Sequence, residues 1–140
     1  MKMEDEKKLM IKFHFLNEFI FEIDNLPLWL RYIDGLEHVT MHQNIKGSCI
    51  VIKINLFKKN QVFNFRISEY EKNKKIKLKS YHPYLFEITI KTYQAVNGFS
   101  YVHLKTKCKP QGLFLFFGRK KLQNKSKLSL ETLGEYLKLQ

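Results

Sequence analysis

Apolar and polar residues alternate through most of this chain, in one short segment after another from residue 35 to residue 110. Alternation with a period of two is the pattern of a β-strand with one buried face, and tight turns separate the segments. Two short helical segments precede this run, and one long helical segment follows it to the C-terminus. The sheet needs a cover for its apolar face, and only the C-terminal helix is long enough. The sequence therefore predicts a single α+β domain over residues 1–140, with a curved antiparallel sheet of about seven strands.

The N-terminal part supplies the first strand and the two short helices. Apolar residues alternate with polar ones over residues 9–15, which predicts a strand. Over residues 16–23 the apolar side chains recur at helical spacing and predict a first short helix. The same spacing over residues 26–33 predicts a second helix, with Pro27 in its first turn and Gly35 just past its end.

The sequence patterns of the sheet and of the terminal helix together predict a space between these two elements. Asn97-Gly98 is the strongest hairpin signal, because both residues tolerate the positive φ of a two-residue turn. From Leu113 the spacing becomes helical for about 27 residues, which gives a helix of ~40 Å. Ser126 and Ser129 fall midway along the buried stripe of this helix and are too small to fill the space of leucines. We therefore expect a void between sheet and helix.

Lysine dominates the charge of the chain. The formal net charge is +12, and the only arginines are Arg31, Arg66 and Arg119. Specific readers of nucleic acid favour the arginine guanidinium, so a lysine surface more often reflects solvation or compositional drift, and it is compatible with weak attraction to an anionic membrane surface or RNA. We expect such contact to disappear near physiological salt, because exposed lysines act through screened charge.

Tyrosines interleave with the lysines in the strand region. Such a pattern is compatible with stacking on nucleobases. Ordinary β-propensity is the commoner explanation, since tyrosine favours half-exposed sheet positions. The residues are Tyr81, Tyr84, Tyr93 and Tyr101.

Three features predict a cytoplasmic protein. The first residues carry acids where a signal peptide would carry basic residues and then an apolar core. The longest apolar run, residues 113–117, is far shorter than the ~20 residues of a membrane helix. Cys49 and Cys108 lie in separate predicted strands without metal-ligand spacing, which indicates reduced structural thiols.

The layout resembles the helix-grip superfamily of START-related lipid-transfer domains, birch-pollen-type allergens and polyketide cyclase-like proteins, often called SRPBCC. The resemblance covers essentially the whole chain, and its motifs are structural rather than catalytic. It implies a helix-grip fold and a cavity that binds an apolar or amphipathic small molecule of lipid, polyketide or isoprenoid type. The motifs are Leu26-Pro27-Leu28-Trp29, Ile33-Asp34-Gly35, Phe65-Arg66-Ile67-Ser68-Glu69-Tyr70-Glu71, Asn97-Gly98 and Pro110-Gln111-Gly112-Leu113-Phe114.

The inward strand positions supply the candidate ligand-binding residues. The apolar walls are Ile52, Phe65, Leu78, Phe86, Ile88, Leu104 and Phe117, and the polar handles are Ser80, His82 and Thr106. The predicted void is lined by Phe65, Ile88 and Phe117. Trp29 has two interpretations, a ligand platform or the core anchor of the second helix.

Two other classes of function stay open. One is an enzyme of cyclase or dehydratase type, which needs His82 or a neighbour to face a solvent-connected pocket and act as a general base. The other is a membrane- or RNA-facing module, in which residues 72–79 and 119–121 form one basic surface. No catalytic triad, phosphate-binding glycine loop or HExxH motif occurs in the sequence. We expect no cofactor and no metal, since His38 and His42 have no third ligand nearby.

Overall fold

The computed structural model describes residues 1–40, 44–56, 61–110 and 114–138, and all their side chains except those of residues 97 and 114–117. The chain begins with strand β1 (Lys2–Leu9), followed by helix α1 (Phe13–Ile20), a 3₁₀ turn (Ile23–Asn25) and the short helix α2 (Leu26–Trp29). Six strands follow: β2 (Ile33–His38), β3 (Cys49–Ile54), β4 (Gln61–Glu71), β5 (Lys75–Ser80), β6 (Phe86–Gln94) and β7 (Ser100–Cys108). Helix α3 (Phe114–Lys138) ends the described chain.

The strands form one seven-stranded sheet in the order β1-β7-β6-β5-β4-β3-β2, and each neighbouring pair is antiparallel. Each strand from β3 to β7 buries alternate residues, so the sheet has a buried inner face and a solvated outer face. Helix α3 packs against β1, β7 and α2, and at 25 residues it extends about 37 Å. The predicted α+β architecture of sheet, two short helices and long terminal helix is confirmed.

The first strand lies elsewhere than the sequence predicted. Residues 2–9 form β1, whereas the predicted strand over residues 9–15 was wrong, because residues 13–15 belong to α1. In β1 the inward positions between Met3 and Leu9 hold the charged residues Asp5 and Lys7, so no alternation of apolar residues marks the strand. β1 is an edge strand, where inward-pointing charge is a common protection against pairing with other chains.

The two short helices also differ from their predicted bounds, since α1 covers residues 13–20 and not 16–23, and α2 is shorter than predicted. Helix α2 ends at Trp29, and the segment from Ile33 onward pairs with β3 as strand β2. In the turn between β6 and β7, Gly98 has a φ of +79°, and Ala95 N–H donates to the Phe99 carbonyl at 2.8 Å. This five-residue connection replaces the predicted two-residue turn, and glycine is suited to its positive φ. Leu113, the predicted first residue of the terminal helix, lies outside the described residues.

Helix α3 approaches β1 closely at one glycine. A Cβ atom on Gly134 would lie 3.3 Å from Leu9 Cδ2 and 3.3 Å from Lys7 Cε. A larger side chain at this position would require the ends of the Leu9 and Lys7 side chains to shift by a few tenths of an ångström. The absence of a side chain at Gly134 therefore allows α3 to lie close to the edge strand.

Candidate functional site

The predicted wall residues lie together on the inner face of the sheet. Cross-strand pairing places Leu78 opposite Ile88, and Ile88 opposite Thr106, in one row across β5, β6 and β7. Ser80 lies opposite Phe86 at the end of β5. All the described wall residues are buried, none exposing more than 1% of its surface: Ile52, Phe65, Leu78, Ser80, Phe86, Ile88, Leu104 and Thr106. The Phe117 side chain lies outside the part of the structure that is described.

Aromatic rings fill the space in front of β4 and β6. The Phe63 ring lies 5.2 Å from the Phe86 ring and 5.0 Å from the Tyr84 ring, measured between centroids. Phe65 and Tyr32 approach Phe86 at 5.9 and 5.8 Å. The three contacts between Phe63 and Tyr84, Phe63 and Phe86, and Phe65 and Phe86 are edge-to-face, which is favourable packing at these distances. Because the described wall residues expose almost no surface, no space for a water molecule borders them, which differs from the predicted void.

The two serines of α3 make hydrogen bonds instead of leaving a gap. Ser126 Oγ donates to Asp5 Oδ2 at 2.6 Å. Ser129 Oγ accepts from the Arg31 backbone N–H at 2.9 Å and donates to the Lys125 carbonyl at 2.7 Å. Each serine is fully buried, as its place on the predicted stripe requires. Small polar residues therefore connect α3 to β1 and to the end of α2.

A pair of hydroxyls lies inside the apolar interior. Tyr32 OH and Thr106 Oγ1 are 2.9 Å apart in a buried hydrogen bond in which either group can donate. Burial raises the pKa of the Tyr32 phenol well above its ordinary value, so the group stays neutral. The sequence pattern did not single out Tyr32. Its position after Trp29, in a segment of helical spacing, gave no sign that the side chain reaches across the inner face to β7.

Trp29 carries the most unusual polar atom of the interior. The residue is fully buried, and its Nε1 has no hydrogen-bond partner among the described residues. Buried polar groups in folded proteins nearly always have a partner. The burial agrees with the core-anchor interpretation of Trp29, while the unpaired indole N–H leaves a donor available inside the domain.

His82 lies on the other side of the sheet from these groups. It is exposed and lines a groove of about 550 Å³ on the outer face, beside Arg66, Lys79 and Tyr81. Strand β5 ends at Ser80, so the inward alternation that the sequence suggested for His82 stops before it. Ser80 Oγ donates to the His82 carbonyl at 3.1 Å, and this bond is a turn contact. His82 therefore faces this outer groove and not the interior between sheet and helix, where a cyclase-type enzyme would use it.

The remaining polar candidates lie apart from the interior. His38 Nε2 lies 2.7 Å from Asp24 Oδ1 near the surface, and His42 lies outside the described residues. Within the described ranges, no three His, Cys, Asp or Glu side chains gather as metal ligands. None of the described helices is long and apolar enough to cross a membrane. The lysines of β5 lie on the outer face of the sheet, whereas residues 119–121 lie on α3 over the inner face, so the predicted single basic surface does not form.

Solved structures with very different sequences share this fold. The protein TTHA0849 of Thermus thermophilus has a TM-score of 0.76 at 14% identity, over 96% of this chain and 95% of that protein. XoxI of Bacillus cereus has a TM-score of 0.75 at 10% identity, over 96% and 94% of the two chains. A START superfamily protein of Mycobacterium smegmatis has a TM-score of 0.69 at 11% identity, over 97% and 93%. No family model matches the chain, and no curated protein matches it in sequence.

Identities this low show the fold alone. The likeness extends over nearly the whole of each chain. The fold expected from the sequence resemblance is thereby confirmed: this chain has the START-like helix-grip fold.

Proposed function

We propose that this domain binds one apolar or amphipathic small molecule, of lipid, polyketide or isoprenoid type, between the inner face of its sheet and α3. The START-like fold supports the proposal, because it covers an apolar sheet face with a single long helix. The observation that carries it is Trp29 Nε1, a fully buried donor without an acceptor among the described residues. An unpaired buried donor costs about 1–3 kcal/mol, which an oxygen atom of a ligand would recover.

The hydroxyl pair supports a ligand with a polar end. Tyr32 OH and Thr106 Oγ1 carry two O–H donors, and their mutual bond uses only one of them. The second O–H can donate to an acceptor on a ligand. Thr106 lies opposite Ile88, in a row of apolar inward residues, so an apolar body would lie beside the sheet while a polar end meets the hydroxyls. We infer a ligand that carries at least one carbonyl, carboxylate or hydroxyl oxygen.

Because the interior is closed, a ligand could enter only if packed side chains moved. The rings of Tyr32, Phe63 and Phe65 surround Phe86 and occupy the space that a ligand would need. In the proposal this closed arrangement is the unliganded state, and binding selects a state in which these rings have moved. A ligand that displaces packed side chains should bind more slowly than one that enters an open cleft.

Native mass spectrometry of freshly purified protein and NMR of the indole N–H test the proposal together. The chain has one tryptophan, so its indole N–H gives a single resonance. We expect a co-purified adduct of small-molecule mass. We also expect that oleic acid or 1-N-phenylnaphthylamine, added to stripped protein, shifts this resonance in a saturable way with one molecule bound per chain.

A matched pair of tryptophan substitutions locates the site. Ile88→Trp adds bulk at a fully buried inward position, and Val62→Trp adds the same group at an exposed position of β4. The inward variant should lose probe binding while keeping a cooperative unfolding transition, and the outward variant should bind as the wild type does. A protein that shows no adduct and binds neither probe, or whose binding survives Ile88→Trp, would overturn the proposal.

A reducing cytoplasmic compartment is part of the same proposal. Cys49 and Cys108 are free thiols, and Cys108 is buried in the core. Free thiols are stable where glutathione and thioredoxin keep cysteines reduced. In such a compartment the domain would shield an apolar ligand from water between the inner face of its sheet and α3.

A further inference from the structure

The outer face of the sheet carries an excess of positive charge on its four central strands. Outward positions of β4, β5, β6 and β7 hold seven lysine or arginine side chains: Arg66, Lys75, Lys77, Lys79, Lys91, Lys105 and Lys107. Three glutamates share the same face: Glu69, Glu71 and Glu87. This face is solvated, and α3 covers the opposite side of the sheet. The excess positive charge is therefore exposed to solvent, where a binding partner could reach it.

Cross-strand pairing brings like charges together on this face. Lys75 lies directly opposite Lys91, and Arg66 lies directly opposite Lys79. Like charges at opposed positions destabilise a sheet. Glu87 Oε1 lies 3.3 Å from Lys79 Nζ, and Glu69 forms an ion pair with Lys75, so both carboxylates offset part of this repulsion. Arg66 has no ion-pair partner among the described residues, so a bound anion would stabilise the arrangement.

Exposed tyrosines lie at both ends of the same face. Tyr81 is 72% exposed, and the Lys79 ammonium lies 5.0 Å from the centre of its ring. Tyr93 is 46% exposed and lies opposite the half-buried Tyr101. Glu87 lies beside Lys79, and Tyr93 lies six positions further along β6, so the two ends are roughly 20 Å apart. Tyr84 lies elsewhere, because its side chain is buried and its hydroxyl donates to Gln61.

We propose that this outer face binds single-stranded nucleic acid, with bases stacked on Tyr81, Tyr93 and Tyr101 and phosphates beside the lysine rows. A stacking platform combined with a basic track is the arrangement that binds single strands without sequence preference. Stacking persists at salt concentrations that screen lysine charge, so these tyrosines would supply affinity that charge alone cannot. The face is separated by the whole sheet from the interior that the proposed ligand occupies.

An anionic membrane is the less suitable partner for this face. Membrane-binding surfaces carry tryptophan, phenylalanine or leucine anchors beside their basic residues, and the outward positions of β4 to β7 hold none of these. The most exposed of the large apolar side chains described are Met10 and Val96, and both lie beyond the ends of strands. The centre of the lysine rows holds Thr89 instead. Vesicle binding is therefore an outcome that would contradict the proposal.

Fluorescence anisotropy with a labelled 12-nucleotide oligouridylate measures the interaction between 50 and 150 mM salt. Tyr81→Ala/Tyr101→Ala should weaken binding at least about fivefold at 150 mM salt, the lower limit for losing stacking on one base. Lys77→Gln/Lys105→Gln should weaken binding and reduce the slope of log K against log salt by about 1.4, since each lost phosphate contact contributes about 0.7. The charge-matched control Lys120→Gln/Lys121→Gln, on the exposed side of α3, should bind as the wild type does.

Every other outcome would overturn the inference. If the α3 control weakens binding as much as the outer-face lysine pair, the attraction is diffuse charge. If the tyrosine pair has no effect, or if phosphatidylserine vesicles or duplex RNA bind more tightly than the single strand, the face is not a stacking platform. Circular dichroism of each variant shows whether it is folded. Should the tyrosine pair be unfolded, Tyr81→Ala alone replaces it, because that side chain is mostly exposed.

Discussion

Ser126 Oγ donates a hydrogen bond to Asp5 Oδ2 at 2.6 Å and thereby joins the terminal helix to the edge strand of the sheet. The serine is fully buried and the aspartate is half-buried. A carboxylate at this depth needs a donor, because water reaches it only in part. The contact explains how β1 can carry an acid on its inward side and still lie beneath α3.

We expect Ser126→Ala to lower the free energy of unfolding by about 1.5–3 kcal/mol, the usual contribution of a hydrogen bond to a charged group. The physical reason is that the Asp5 carboxylate would lose its donor while staying half-buried. Urea denaturation at pH 7 measures the change, and a double-mutant cycle with Asp5→Ala should show coupling between the two residues.

A second hydroxyl on α3 provides the control. Thr132 Oγ1 donates only to the Leu128 carbonyl of its own helix, in an exposed position. Thr132→Ala should change stability by no more than about 0.5 kcal/mol. Equal effects of the two substitutions would show that the Ser126–Asp5 contact contributes nothing specific.

The edge strand also shows where prediction from the sequence failed. The strands β3 to β7 were recognised because their inward residues are apolar in nearly every register position. In β1, Asp5 pairs with Leu104 and Lys7 with Val102, so tertiary contacts with β7 and α3 fix the strand despite its charge. The alternation over residues 9–15 favoured a strand, yet the one-sided spacing of Phe13, Leu16 and Ile20 gives α1. Local pattern alone could not decide between the two.

The interior polar groups were predictable only in part. Thr106 follows from strand parity, since it alternates with outward lysines in β7. Its partner Tyr32 lies in the connection between α2 and β2, which the helical spacing of the sequence assigned to a helix. The two residues are 74 positions apart, so no local pattern reveals the contact. The prediction for His82 was wrong because it continued the inward and outward alternation of β5 beyond Ser80, where the strand ends.

Two substitutions at Trp29 separate packing from hydrogen bonding. Trp29→Ala should lower the free energy of unfolding by about 3–5 kcal/mol, because a large, fully buried ring is lost. Trp29→Phe should cost less than half of that, since it keeps a ring and removes a donor that has no described partner. Thermal and urea denaturation of both variants measure the difference. A Trp29→Phe variant as unstable as Trp29→Ala would show that the indole N–H has a partner in the folded protein.

The hydroxyl pair gives a third prediction. Tyr32→Phe leaves Thr106 Oγ1 without its partner in an apolar interior, and we expect a loss of about 1–3 kcal/mol. Thr106→Val leaves the Tyr32 hydroxyl unpaired and should cost a similar amount. The double variant should be more stable than the sum of the two losses predicts, because neither orphaned hydroxyl then remains. Strictly additive losses would indicate that the two hydroxyls are not coupled.

Alkaline pH should destabilise the domain through Cys108. Burial raises the pKa of the Cys108 thiol to about 11, from an ordinary value near 9. Between these two values the unfolded chain loses the thiol proton while the folded protein keeps it, so the folded state binds more protons and stability falls as pH rises. The contribution of Cys108 is fully present below about pH 9 and should decline by about 1.4 kcal/mol per pH unit above it. Urea denaturation between pH 8 and 10 should show a shallower decline for Cys108→Ala than for the wild type. Equal slopes for the two proteins would show that the Cys108 thiol is not protected by the fold.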